Sequence, residues 1–256
     1  MPKYDLSLTP PIMNAAGFLG FAPAPRGGLD LPQLGAFVTN PVSLKRRTPA
    51  QGARFLPFPG GFLLHTGHPN PGLKQLIRHS ARHWARSSLP LIVHLLAENT
   101  EEVAQMVKRL ETVEGVRGIE LGIPPEADLR MVIEMVEAAI GELPLIVRLP
   151  MERALELGKG IVQDDIFALS LAPPRGALPD ADGHLVHGRL YGPAIFPLAL
   201  EITQKLASFG RPVFAAGGVH SPQDAQLLLS CGATAVQLDS VLWVPSALSD
   251  KSSQKY

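Results

Sequence analysis

The chain has one cysteine, no excess of either charge and few aromatic residues, which make up 6% of it. A single thiol, Cys231, cannot build a disulfide framework and suits a reducing compartment. It falls late in a helical pattern, where a small side chain packing the helix end is the plain reading. Lys plus Arg and Asp plus Glu number 23 each, so no bulk field draws the chain to nucleic acid or an anionic membrane. No uncharged apolar run reaches the ~18 residues that a spanning helix needs. The opening MPKYDLSLTPPI lacks the apolar core of a signal peptide. The histidines follow no HExxH pattern and there is no CxxC, so spacing offers no metal site. The expectation is a cytoplasmic protein with a small-molecule ligand, no nucleic-acid or membrane partner, and homo-oligomer formation left open.

What is abundant is apolar sequence, 46% of 256 residues, enough for one sizeable core. Short apolar runs recur at Ile12–Ala16, Ala36–Thr39, Leu91–Leu96, Gly118–Leu121, Leu145–Leu149, Ile166–Leu171, Val213–Ala216 and Ala235–Leu238. They rarely alternate with polar residues, as parallel strands buried on both faces should not. Helical spacing lies between them at Asn99–Leu110, Ala127–Ile140, Ala194–Ala207 and Pro222–Leu229. Eight strands alternating with helices predict an α/β fold, a (β/α)8 TIM barrel in a single domain over residues 1–248. A doubly wound sheet is the alternative. A polar tail, 249–256, should fray.

The densest signal is Arg211-Pro-Val-Phe-Ala-Ala-Gly-Gly-Val219, then Ser221-Pro-Gln-Asp224, then Gly232-Ala-Thr-Ala-Val-Gln-Leu-Asp-Ser240. It reads as strand, tight turn, helix, strand. Glycines at a strand end allow backbone N–H groups close to an anion, and a following helix adds its dipole. In a barrel of this kind the loops after strands seven and eight form a phosphate site. A phosphorylated ligand is expected there.

These motifs resemble the FMN-dependent dihydroorotate dehydrogenase family. The resemblance runs through Met13-Asn-Ala-Ala-Gly17 with Gly20, Gly35-Ala-Phe-Val-Thr39, Val42-Ser-Leu44, Pro59-Gly-Gly61, Asn70-Pro-Gly72, Tyr191-Gly-Pro-Ala-Ile195 and the Gly217-Gly218 segment. It implies an FMN across the barrel mouth and a place in pyrimidine biosynthesis. The phosphate would lie on Gly217 and Gly218 near Asp239 and Ser240, with Gly192 close by. Ala15, Ala16 and Gly17 would line the isoalloxazine ring. Arg148 stands where the family has a lysine at the N1 and O2 edge, and a cation there stabilises reduced flavin. Arginine keeps the charge and changes the donor geometry. Asp239 is the awkward member, since a carboxylate beside phosphate is repulsive unless it points away or accepts a donor.

Departures fall on the chemistry. Asn40 replaces the family's second-strand lysine, and Leu121-Gly-Ile-Pro-Pro-Glu-Ala127 replaces the motif that carries an asparagine and a Cys or Ser base. The substrate asparagines correspond to His65 and to the Ser170-Leu-Ala-Pro-Pro174 stretch, which has no carboxamide. His65 and His68, in one loop at the catalytic face, are the candidates for a replacement base, with Asn40 beside them. His94 reads as a core histidine, Glu120 as a strand carboxylate, Glu126 as a helix-dipole partner, and His184 and His187 as part of a lid or a solvated loop at 180–188. Three readings follow: an FMN oxidoreductase with an altered substrate site, a silent flavin- or phosphate-binding relative acting through a partner, and another phosphate-binding barrel enzyme such as an isomerase or lyase.

Overall fold

The computed structural model describes residues 6, 8–24 and 33–243; the expected tail at 249–256 lies outside them. In chain order the elements are β1 (Ile12–Asn14), β2 (Phe37–Val38), β3 (Val42–Ser43), β4 (Phe55–Phe58), β5 (Gly61–Leu64), α1 (Leu73–Ala85), β6 (Leu91–Leu96), α2 (Thr100–Leu110), β7 (Val116–Gly122), α3 (Leu129–Ala139), β8 (Leu145–Pro150), α4 (Ala154–Ile161), β9 (Ala168–Ala172), β10 (Arg175–Pro179), β11 (Leu185–Tyr191), α5 (Phe196–Ala207), β12 (Val213–Ala216), α6 (Pro222–Ser230) and β13 (Ala235–Leu238). The parallel strands run in the order β1, β13, β12, β9, β8, β7, β6, β2. A parallel bridge between Met13 and Ala36 closes β2 back onto β1. The Asn14 carboxamide completes that seam: its Nδ2 donates to the Val38 carbonyl at 2.6 Å and its Oδ1 accepts the Val38 N–H at 3.0 Å. The eight expected strands are therefore the barrel.

Helix ends follow local chemistry. Asn99 Oδ1 accepts the Glu102 N–H to start α2, with Glu101 and Glu102 in its first turn and Lys108 and Arg109 in its last. Ser221 and Asp224 form a reciprocal capping box on α6. Asp128, not Glu126, caps α3, so the dipole role expected of Glu126 belongs to its neighbour two residues on. Apolar residues at i, i+3, i+4 and i+7, such as Val103, Met106, Val107 and Leu110, turn each helix onto the barrel.

The barrel interior has two layers. Below, Met13, Ile92, Ile146, Ala168, Phe214 and Ala235 form an apolar cluster. Two residues further along the same strands, the period of a β-strand, stand His94, Arg148, Ser170 and Gln237, with Glu120 among them. The apolar layer holds the barrel; the polar layer lies under its mouth.

A four-stranded antiparallel sheet, β10-β11-β5-β4, accompanies the barrel. Residues 180–188, expected as a solvated loop or lid, are the turn and much of the second strand of its β10–β11 hairpin. Asp180 Oδ1 accepts the N–H groups of Asp182 and His184 and so fixes that turn.

Candidate active site at the barrel mouth

A cavity of about 530 Å³ opens at the C-terminal ends of the barrel strands, with Leu64 of β5 and Gly188, Arg189 and Tyr191 of β11 among its walls. Four arginines (Arg47, Arg148, Arg175, Arg189), three histidines (His65, His68, His94) and two glutamates (Glu98, Glu126) line it. With neutral histidines the ionic balance is positive. None of the described lining residues carries a carboxamide.

Glu120 organises the floor. It is wholly buried, and its Oε1 accepts Ser170 Oγ at 2.8 Å and Gln237 Nε2 at 2.7 Å. Its Oε2 meets His94 Nδ1 at 2.6 Å and Arg148 Nη1 at 3.4 Å. Burial alone would raise the Glu120 carboxyl, but Arg148, His94 and Gln237 outweigh it and hold it down to about 2. Burial pushes the His94 imidazole down, against the pull of Glu120. A neutral ring that donates its Nδ1–H to Glu120 would leave the Nε2 lone pair to accept a proton. Space for the ring comes from Gly122: a Cβ built there would lie 2.9 Å from His94 Nε2. The absence of a side chain at Gly122 on β7 and the place of His94 on β6 thus depend on one another.

The residues expected to hold a flavin divide by fit. On the ring side, Ala16, Arg148, His65 and His68 all line the cavity, while Ala15 and Gly17 flank Ala16 in the chain. Arg148 Nε and His68 Nε2 are buried without a hydrogen-bond partner, so the site has polar groups waiting for a ligand. His68 has φ of 52°, and burial, with the charges of Arg189, His94, Arg148 and Arg47, pushes its imidazole down to about 2. On the phosphate side, Gly192, Gly217, Gly218, Asp239 and Ser240 come together beyond the cavity wall. Gly218 needs its φ of 71° and its missing side chain, since a Cβ would lie 2.4 Å from the Phe196 nitrogen and 3.0 Å from the Gly192 oxygen. At this turn the Asp239 carboxylate already accepts from the Ser240 N–H and hydroxyl, with the Gly218 N–H near enough to pull its carboxyl down.

Asn40 is occupied differently. Its Oδ1 accepts the Gly20 N–H at 3.0 Å and its own N–H donates to the Gly20 carbonyl at 2.7 Å. The side chain ties two loops together and lies outside the cavity lining. The residues that the sequence understated are His94 and Glu120: both interrupt apolar strands, and the β6–β7 register that pairs them is not visible in one dimension. Tyr191 is a second. It is buried in edge contact with Phe18, at 5.2 Å between ring centres, and feels the charges of both Arg148 and Asp239. It therefore stands between the two halves of the site.

The dihydroorotate dehydrogenase family model matches residues 3–139. The catalytic subunit of dihydroorotate dehydrogenase B (NAD(+)) from Desulforudis audaxviator is 30% identical over 256 residues, covering 90% of this chain and 82% of its own length. The corresponding subunit from Pelobacter propionicus is 29% identical over 270 residues, covering 97% and 89%. Among solved structures, the ligand-free enzyme from Eimeria tenella superposes with a TM-score of 0.74 at 15% identity, over 92% of this chain and 80% of that one. At that identity the superposition speaks for the barrel fold alone.

Proposed function

The chain belongs to the dihydroorotate dehydrogenase family, and from that premise we propose that it is an FMN-dependent oxidoreductase whose substrate side has been rebuilt for an anionic small molecule other than dihydroorotate. FMN is the cofactor of this family, and a dihydroorotate dehydrogenase-like oxidoreductase is the coarse function that membership carries. The observation that carries the finer reading is the buried Glu120, His94 and Arg148 group beneath a cavity lined by arginine and histidine and free of carboxamides.

Ala15, Ala16 and Gly17 would flank the ring, Arg148 its edge, and Gly192, Gly217, Gly218 and Ser240 the phosphate. When bound, the flavin supplies the acceptor for the hydride lost from a substrate C–H bond. The chain must then do two things: hold the substrate's negative charge and accept a proton. Arg189 and Arg175 answer the first need, as guanidiniums that match a carboxylate or phosphate with paired donors. His94 Nε2 answers the second: burial pushes its imidazole down as it does that of His68, but Glu120 at Nδ1 favours the charged form, a partner that His68 lacks. Protonated there, the imidazolium keeps its Nδ1–H on Glu120, the arrangement by which a carboxylate steadies a catalytic histidine. His68, held down to about 2, is a weak base and serves as a neutral hydrogen-bonding group, with His65 beside it in the lining. Asn40 holds Gly20 and supports the loop.

The place where the family's base belongs is Pro124-Pro125, which has no group to take a proton. The test is to reconstitute the protein with FMN, mix it anaerobically with a panel of small carboxylates and phosphorylated hydroxy compounds, and follow flavin bleaching. Bleaching by a panel member in wild type, and its loss in His94→Ala, is expected. Equal bleaching in the two proteins would remove His94 from the mechanism.

A further inference from the structure

The phosphate half of the site contains its own anion. Resting on the flavin reading above, we propose that Asp239 is a resident occupant of the phosphate cradle, so that FMN loads only by displacing this chain's own carboxylate.

The register of β12 against β13 pairs Ala216 with Gln237, which brings Gly218 beside Asp239 two residues further on. Asp239 is 3% exposed. Its Oδ1 accepts the Ser240 N–H at 2.5 Å and the Ser240 hydroxyl at 3.1 Å, and the Gly218 N–H also donates to the carboxylate. These strand-end N–H groups are the donors that a phosphate would use in a barrel of this type. The other side of the cradle is closed, because Gly218 lies against the Phe196 nitrogen and the Gly192 oxygen at distances that leave no room for one added carbon. An incoming anion that uses the N–H donors now facing Asp239 takes the place of its carboxylate.

The local charges do not favour sharing. His220 Nε2 lies 3.2 Å from Ser240 Oγ, next to the carboxylate's own partner. Burial pushes the carboxyl up, in keeping with a site short of positive charge. The arginines of the mouth are on the other side of Tyr191. A phosphate entering beside an ionised Asp239 would meet repulsion and find its donors already committed. The ring half of the site has the opposite character, with unpartnered polar atoms on Arg148 and His68. Riboflavin, which lacks the phosphate, should thus see the same protein whether or not Asp239 is present.

The experiment compares wild type with Asp239→Asn, which keeps the volume, and Asp239→Gly, which vacates it. Each folded protein, checked by circular dichroism, is titrated with FMN and with riboflavin by flavin fluorescence, and melted with and without inorganic phosphate. Expected is an FMN affinity roughly 10- to 100-fold higher in Asp239→Gly, the effect of freeing neutral N–H and hydroxyl donors for a charged phosphate, and a smaller gain in Asp239→Asn, which removes the competing charge but keeps an oxygen on those donors. Riboflavin affinity should be unchanged, and phosphate should raise the melting temperature of the variants but not of wild type. If wild type prefers FMN to riboflavin and the variants lose that preference, Asp239 assists the phosphate and the proposal is overturned while the flavin reading stands. If flavin binds all three proteins alike and phosphate stabilises none, the proposal is also overturned. If no flavin binds any of them but phosphate stabilises the variants alone, the flavin reading fails and the resident anion survives.

Discussion

Glu120 and Asp239 are both buried carboxylates at the C-terminal ends of neighbouring parts of one barrel, yet their surroundings push them in opposite directions. Glu120 has a guanidinium, an imidazole, a carboxamide and a hydroxyl around it, and its carboxyl is held down to about 2. Asp239 has backbone N–H groups and one hydroxyl, and burial pushes its carboxyl up. The first is one charge in a paired group that leaves other donors exposed to a cavity. The second, on the proposal above, takes the place of an anion. A buried carboxylate is thus part of a binding site in one case and a substitute for the ligand in the other, and the neighbouring cations decide which.

The contrast is broken most severely at Glu120. Glu120→Leu strands Arg148 as a buried charge, and the unfolding free energy should fall by about 3–5 kcal/mol, read from urea denaturation. Next comes His94→Ala in FMN-reconstituted protein, for which the rate of flavin bleaching by a turnover substrate should fall by at least roughly 10²-fold with the fold retained.

Acid sharpens the contrast through opposite signs. Glu120 is held below its ordinary 4.5, so its contribution is present above 4.5 and lost as pH falls toward 2. His68 is pushed below 6.5, so below that pH the unfolded chain gains a proton that the folded chain refuses, and stability falls again. Asp239, raised, contributes in the other sense: its share is present below 3.8 and lost as pH rises through its folded value. Urea midpoints measured from pH 7 to pH 3 should decline in two stages, the upper one smaller in His68→Gln, where His94, also pushed down, still contributes to it. In Asp239→Asn the decline should be steeper than in wild type. The smallest effect is at neutral pH, where Asp239→Asn should change unfolding free energy by no more than about 1 kcal/mol, since the donors keep an oxygen to bond and a buried charge is removed.

The barrel was legible because its strands are continuous apolar runs, and each of the eight was found within a few residues of its observed limits. The covering sheet was not. Phe55–Phe58 alternates exposed and half-buried residues and contains a proline, while Arg175–Pro179 looks like loop sequence beside its Asp-Gly turn. Its strands gain their order from pairing with one another, which local propensity does not record. Helix α4 was hidden by Gly158 and Gly160, poor helix formers that are needed where the helix packs: a Cβ on Gly160 would lie 2.3 Å from Leu129. At the site, Arg148 and the glycine pair were readable from strand-end position. His94 was not, because its role depends on Glu120, 26 residues away, and on the empty space at Gly122. The contact of Asn40 was hidden for a similar reason, since its partner is a backbone group on another loop.

The central claim is that this family member keeps the cation that reduced flavin needs and has given up the dihydroorotate site. The most direct measurement is anaerobic stopped-flow mixing of the FMN-reconstituted protein with millimolar dihydroorotate, following the oxidised flavin band. The account predicts that the flavin stays oxidised over minutes, because Pro124-Pro125 offers no base and the cavity lining offers no carboxamide to hold the pyrimidine. Bleaching within seconds would contradict it and return the chain to ordinary dihydroorotate oxidation.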